Sequence, residues 1–502
     1  MIAPIIVETP YGKVQGIQEE SVQIFKGIPF AQPPVNKLRY RPPQPCKPWV
    51  GVLEALSFGA ITPQPSIFDT LPPLPQNEDC LYLNVWAPVD PGSYPVMVWI
   101  HGGEFFTGRP SELLFDGSVF AKEGIVTITI AYRLGVLGFL HLPHLLGDEF
   151  ATSGTLGLQD QIAALKWVQQ AIPAFGGDPH RVVVAGQAAG GSSIGTLIAM
   201  PDTEGLFRAG ILQSGAANKL HDRDTAAWIT AFILNEFSLA PNQAYKLLEL
   251  PVEELVAASQ RMIRKIPMRA PFRPVVDGIT LPTYPLEAIA HKNAKLCPSA
   301  SAKSANVSLL VGTNRDEMNT FAMIDLKSVA LEPRNSASLD AISFVKVVEQ
   351  YRIHFKDLDD TILASRLLTA SEYWIPAIRL VEAHTCAGGT AWMYRFDWTH
   401  TIDSMFGAGH TFELPLVWQK LDLSFDDPIG TSKLGALMHK VWVQFITTGN
   451  PNGAGLSTWL PYHSNERTTM IFDEPMHIEN DPNASERKLW DNISLTSSSS
   501  LN

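Results

Sequence analysis

The run Val182-Val183-Val184-Ala185-Gly186-Gln187-Ala188-Ala189-Gly190-Gly191-Ser192-Ser193 constrains this chain more than any other stretch. Three β-branched residues predict a strand buried on both faces. The glycines predict a sharp turn, and the small residues that follow predict a helix packed tightly against the strand. This is the outline of a nucleophile elbow, G-x-S-x-G, in which strand and helix backbones pass so closely that a Cβ at either glycine would collide. At the apex, where the pattern carries serine, stands Ala188. Ser192 and Ser193 lie about a helical turn further on and are not substitutes for an apex hydroxyl.

Other buried strands are predicted at 95–100, 125–130, 209–214, 308–313 and 391–396, with an alternating strand at 79–86. Helical periodicity covers 157–172, 244–260 and 434–447. Strands alternating with helices imply an α/β fold with a mainly parallel, doubly wound central sheet. Residues 7–50, rich in turns and proline, read as a short antiparallel flap at a sheet edge. The segment 58–77, with five prolines between 63 and 75, reads as a lid-like loop. No linker interrupts the pattern. The expectation is one domain over 1–495, helical insertions at about 223–300 and 325–385, and a frayed serine-rich tail at 496–502.

A formal net charge of −12 without a compensating basic run argues against a nucleic-acid partner. No apolar run is long enough for a membrane span, and the N-terminus reads as lacking a signal peptide. Cys46, Cys80, Cys297 and Cys386 are too few and too scattered for a disulfide framework or a metal cluster. The expected location is the cytoplasm, the expected ligand is a small molecule, and no metal or cofactor is called for.

Further motifs surround the elbow in order: Gly27-Ile28-Pro29-Phe30, Glu78-Asp79-Cys80-Leu81-Tyr82-Leu83-Asn84, His101-Gly102-Gly103, Tyr132-Arg133-Leu134-Gly135, Phe175-Gly176-Gly177-Asp178-Pro179 and Gly407-Ala408-Gly409-His410. Together they resemble the type-B carboxylesterase and lipase family of the α/β-hydrolase fold over nearly the whole chain. The resemblance implies a carboxylic ester hydrolase that works through a Ser-His-Glu triad and an acyl-enzyme. Its nucleophile position is Ala188, its base is His410 and its acid is Glu317, with the neighbouring Asp316 left open by chemistry alone. It implies an oxyanion hole formed by the backbone amides of Gly103, Glu104 and Ala189, with Gly102 shaping the turn. Glu104 departs from the small residue usual in the family.

Phe105, Phe106, Met318, Phe321, Phe406 and Phe412 are the expected lining of an aromatic, apolar pocket. The family's secreted members pair the cysteine matching Cys80 with one upstream; none stands in 58–64, so Cys80 is expected to be a buried free thiol, as in intracellular bacterial members. Alanine at 188 is what a single serine-to-alanine change leaves behind, and the expectation is an esterase disarmed at its nucleophile. Two other readings are a natural non-catalytic binding or adhesion homologue and an amidase or carbamate hydrolase using the same site. A monomer or weak homo-oligomer is expected.

Overall fold

The computed structural model describes residues 2–65, 74–290, 306–336, 338–399, 407–423, 428–453, 455 and 458–495. Its frame is one sheet of thirteen strands. The chain enters through an antiparallel meander, β1 (Ile2–Thr9), β2 (Gly12–Glu19) and β3 (Val22–Pro29), with the short β4 (Val52–Glu54) added beside β2. Then come β5 (Tyr82–Pro88), β6 (Tyr94–Ile100), β7 (Val126–Ile130), β8 (Gly177–Gln187), β9 (Ala209–Gln213), β10 (Ser308–Asn314) and β11 (Ala391–Phe396). The closing pair is β12 (Thr468–Phe472) and β13 (His477–Asn480). The order across the sheet is β1-β2-β3-β5-β7-β6-β8-β9-β10-β11-β12-β13. Every pairing from β7 to β12 is parallel, while β3–β5, β5–β7 and β12–β13 are antiparallel.

Parallel strands need crossovers, and helices supply them on both faces. The pleat of β6 shows the consequence. Val96, Val98 and Ile100 enter the larger core cluster, whereas Met97 and Trp99 enter a second core on the opposite face. A strand wetted on neither side must be apolar throughout, as this one is.

Helix α1 (Leu156–Ala171) precedes β8, and α2 (Ala189–Leu197) follows it. Buried in α1, Asp160 accepts from the Arg133 backbone N–H, from Nε (2.8 Å) and from Nη2 (2.8 Å), tying the helix to the end of β7. α3 (Glu317–Ile324) starts three residues after β10 ends. α4 (Asp360–Thr369) and α5 (Ile375–Cys386) run into one another through a π-helical turn at Ala370–Trp374, and α6 (Pro428–Thr448) packs on the second core.

The structure departs from the sequence reading in two places. The helix expected over 244–260 is a 3₁₀ segment, Pro241–Leu248, followed by an α-helix, Val252–Lys265. Pro251 has no N–H to continue the first segment but suits the start of the second. The edge pair β12–β13 was missed, because its strands are short and separated by charged turn residues. The centre of the expected lid, 66–73, and the tail 496–502 lie outside the described residues. Among the described residues no helix is long and apolar enough to cross a membrane, and no group of His, Cys, Asp and Glu is arranged to hold a metal. Cys46, Cys80 and Cys386 are free thiols, and burial pushes the Cys80 thiol up to about 12.

Candidate active site

At the carboxyl ends of the central strands, β8 turns into α2 with Ala188 at φ 53°, ψ −116°. This is the strained conformation of an elbow apex. Packing holds it. A Cβ on Gly190 would stand 2.0 Å from the Ile100 carbonyl oxygen, and one on Gly186 would meet the Gly190 carbonyl carbon at 2.7 Å. The Ala188 N–H donates to the Gln213 carbonyl (2.9 Å), and the Ala188 carbonyl accepts from Ser192 N–H (2.9 Å). Ala189 is the first residue of α2, so its N–H has no acceptor within the helix and lies at the positive end of the helix dipole.

The loop after β6 faces this turn. Gly103, Glu104 and Phe105 all have positive φ (104°, 53° and 60°), and the Gly103 carbonyl accepts from both Phe106 and Thr107 N–H. A side chain at Gly103 would run into the Thr107 carbonyl at 2.2 Å. Beneath the loop, buried His101 stacks on Tyr132 with centroids 4.5 Å apart and makes a 2.9 Å bond to the Gly102 carbonyl. Burial pushes its pKa down to about 4, leaving it neutral. Gly102 itself lies against Ala188: a Cβ there would sit 3.2 Å from the Ala188 Cβ. The two elements expected to frame a reacting carbonyl are therefore in contact.

His410 and Glu317 also meet. His410 Nδ1 is 2.5 Å from Glu317 Oε2, and both side chains are buried. Glu317 Oε1 accepts the Asn314 N–H at 2.8 Å, which fixes the carboxylate at the start of α3. Its neighbour Asp316 points elsewhere, accepting from Ala408 N–H and pairing with Arg315. With Nδ1–H donated to Glu317, His410 presents a lone pair at Nε2.

That lone pair has a partner which the sequence reading did not single out. Gln187 Nε2 lies 3.1 Å from His410 Nε2. A second unsuspected residue is Glu413. Fully buried, it accepts from Asn314 Nδ2 (2.7 Å) and Gln213 Nε2 (3.1 Å). Burial, aided by the nearby Glu317 charge, pushes its pKa up to about 7. No motif in the sequence marks Glu413, whose partners Asn314 and Gln213 come from distant strands.

These features coincide with a sequence-wide match: residues 3–490 fit the profile of the Carboxylesterase family. The chain belongs to that family. A para-nitrobenzyl esterase from Bacillus subtilis (strain 168) is 38% identical, over 96% of this chain and 98% of the relative. The solved carboxylesterase EST55 of Geobacillus stearothermophilus superposes with a TM-score of 0.85 at 34% identity, covering 97% of this chain and 100% of that one. A solved PNB esterase superposes at 0.84 with 36% identity, covering 96% and 99%. The chain therefore has the α/β-hydrolase fold, in a family of carboxylic ester hydrolases.

The residues expected to line an apolar pocket take different places around this carboxylesterase-family site. Phe105 turns into the core against Phe139, and Met318 is fully buried with Arg269 Nη1 3.3 Å from its sulfur. Phe412 packs against the second core, Phe106 stacks on Phe272, and Phe406 lies outside the described residues. Phe321 lies 5.2 Å from the His410 ring, and Tyr373, presented by the π-helical turn, lies 5.0 Å away. Next to them stand ionic groups: Arg269 binds Glu104 Oε1 through Nη2 (3.0 Å) and Nε (3.2 Å), and Lys219 pairs with Glu372. Glu104 follows the glycine motif, but no motif marks Lys219, Arg269 or Glu372, of which Arg269 and Glu372 lie in the expected helical insertions.

Proposed function

We propose that the crevice at Ala188 is a carboxylic ester site of the Ser-His-Glu type, disarmed at its nucleophile. The observation that carries this reading is the 2.5 Å His410–Glu317 pair, set beside an elbow apex that differs from a working one by a single oxygen. In this reading the ester carbonyl sits between the Gly103–Glu104 loop and the N-terminus of α2. The amides of Gly103, Glu104 and Ala189 receive the developing oxyanion, and Ala188 marks the place of the attacking hydroxyl. With serine there, His410 Nε2 takes the hydroxyl proton and returns it to the leaving alcohol. Glu317 holds the imidazole in the required tautomer and balances its transient charge. As it stands the chain binds small-molecule esters and turns them over only through its remaining electrostatics.

A second reading, a non-catalytic binding homologue, is favoured by one observation: the Gln187 amide already occupies the base nitrogen. Introducing Ala188→Ser and treating the protein with a fluorophosphonate probe separates the two. Stoichiometric covalent labelling at residue 188 supports a disarmed esterase; a folded variant that stays unlabelled supports the binding homologue.

A further inference from the structure

An ester site needs apolar walls for acyl and alcohol groups, yet among the described residues five charged side chains gather around Phe321 and Tyr373, the two rings that border His410. Lys219 follows the strand β9, Arg269 and Arg273 stand on the loop after the helix Val252–Lys265, Glu104 is on the loop after β6, and Glu372 is on the π-helical turn. Three cations thus face two carboxylates, with Glu317 committed to the imidazole.

The loop that presents Arg269 is braced by Arg273, whose Nε donates to the Ala270 carbonyl (2.8 Å) and whose Nη2 donates to the Arg269 carbonyl (2.6 Å). The Arg269 guanidinium lies 4.4 Å over the Phe321 ring, and that ring borders His410. Aromatic ring, thioether and guanidinium fix one another, so Arg269 is a placed group and not a wandering surface charge. Solvent reaches the cluster. The Glu104 side chain is 45% accessible, those of Lys219 and Arg269 18% and 13%, whereas Glu372 is 1%. The exposed carboxylate is therefore the one on the oxyanion loop. A carboxylate held there disfavours an oxyanion at the adjoining amides but holds a place that a ligand's own carboxylate can take.

We infer that this crevice recognises acyl compounds bearing a free carboxylate, such as half-esters of dicarboxylic acids. The acid group pairs with Arg269, beside Lys219 and Arg273, displacing Glu104. This rests on the reading of the Ala188 crevice as an ester site and adds its substrate class. The charge states agree. Burial drives Arg273 down to about 10 and lowers Lys219, a penalty that a bound anion relieves.

The test is calorimetric binding of monoethyl succinate and monoethyl adipate, each against its neutral diethyl ester, to the protein with Ala188 in place. The half-esters are expected to bind at least about tenfold tighter, with a preference that shrinks as salt rises. Arg269→Leu should abolish the preference, Arg269→Lys should keep part of it, and Glu104→Gln should enlarge it by removing the competing carboxylate. Equal affinities for half-ester and diester, or a preference untouched by Arg269→Leu, overturn the inference. An Ala188→Ser variant that hydrolyses neutral p-nitrophenyl butyrate while the parent shows no half-ester preference leaves the ester site standing and removes only the anion subsite. Absence of binding by either ester, with an inactive Ala188→Ser variant, removes both.

Discussion

Placing a hydroxyl at the elbow apex with Ala188→Ser tests the largest part of the proposed function, and its effect can be worked out in steps. Loss of a triad nucleophile from a serine hydrolase costs roughly 10⁶-fold in kcat, which sets the ceiling on recovery. Two features of this site reduce it. The serine hydroxyl must displace the Gln187 amide from His410 Nε2. A hydrogen bond of net worth about 1 kcal/mol amounts to roughly fivefold. The Glu104 carboxylate stands on the oxyanion loop, paired with Arg269. A disturbance there equal to losing one donor costs about 10²-fold. The expected gain is therefore on the order of 10³-fold over the parent for p-nitrophenyl acetate or butyrate, with a burst of p-nitrophenol matching enzyme concentration. Stability should hold, since serine adopts the Ala188 backbone conformation no worse than alanine and the Gly186–Gly190 contact that enforces it is untouched. A folded variant with unchanged melting temperature, less than tenfold gain and no burst would refute the assignment of Ala188, His410 and Glu317 as one catalytic unit.

In the Ala188→Ser background, Glu317→Gln should lower kcat by roughly 10³-fold or more with KM little changed, since a neutral amide cannot stabilise the imidazolium that forms during turnover; steady-state kinetics on the same esters checks this. Glu413, whose folded pKa is raised to about 7, should make stability fall with rising pH. Its contribution is complete below the ordinary carboxyl pKa near 4.3 and is lost as pH rises through 7, a difference on the order of 3 kcal/mol. Melting curves from pH 5 to 8 for the parent and Glu413→Gln should therefore differ in slope, with the variant much flatter. Removing the buried carboxylate in Asp160→Ala strands Arg133 and should cost about 3–5 kcal/mol in denaturant titrations. Cys80 should stay unreactive toward a disulfide reagent until the protein is unfolded, because its thiol is fully buried and holds its proton.

What could be read from the sequence was whatever depends on local pattern. The runs at 95–100, 125–130 and 182–187 carry a buried strand's signature in every residue, and each is a strand in the centre of the sheet. The resemblance of the GAGH segment and the strand-end carboxylates pointed to His410 and Glu317, which meet across 93 residues of chain. What stayed hidden was whatever arises only when distant segments converge. Arg269 and Glu104 are 165 residues apart, and Lys219 and Glu372 are 153 apart. Arg269, Lys219 and Glu372 look like ordinary surface charges, and Glu104, marked by its place after the glycine pair, gives no sign of its ionic partner until the fold brings the two together. Gln187 carries no signal of its own in the sequence, since nothing in a G-x-A-x-G pattern tells which way the side chain at x will turn. Which expected lining residue faces the crevice was hidden for the same reason: positive φ at 105 and the turn of α3 bury Phe105 and Met318, whereas Phe321 borders His410.

The contact between Gly190 and the Ile100 carbonyl has a consequence for how such a protein can change over generations. Because backbone against backbone sets the bend, exchanging alanine and serine at 188 leaves the contacts that enforce it untouched. Selection for a stable, soluble chain and selection for turnover act on different positions. On the reading proposed for the crevice, one codon at 188 decides whether a hydroxyl stands there, and neither choice disturbs the backbone contact that sets the bend. The ligand-facing loops are then free to acquire new charge while the scaffold beneath them stays the same.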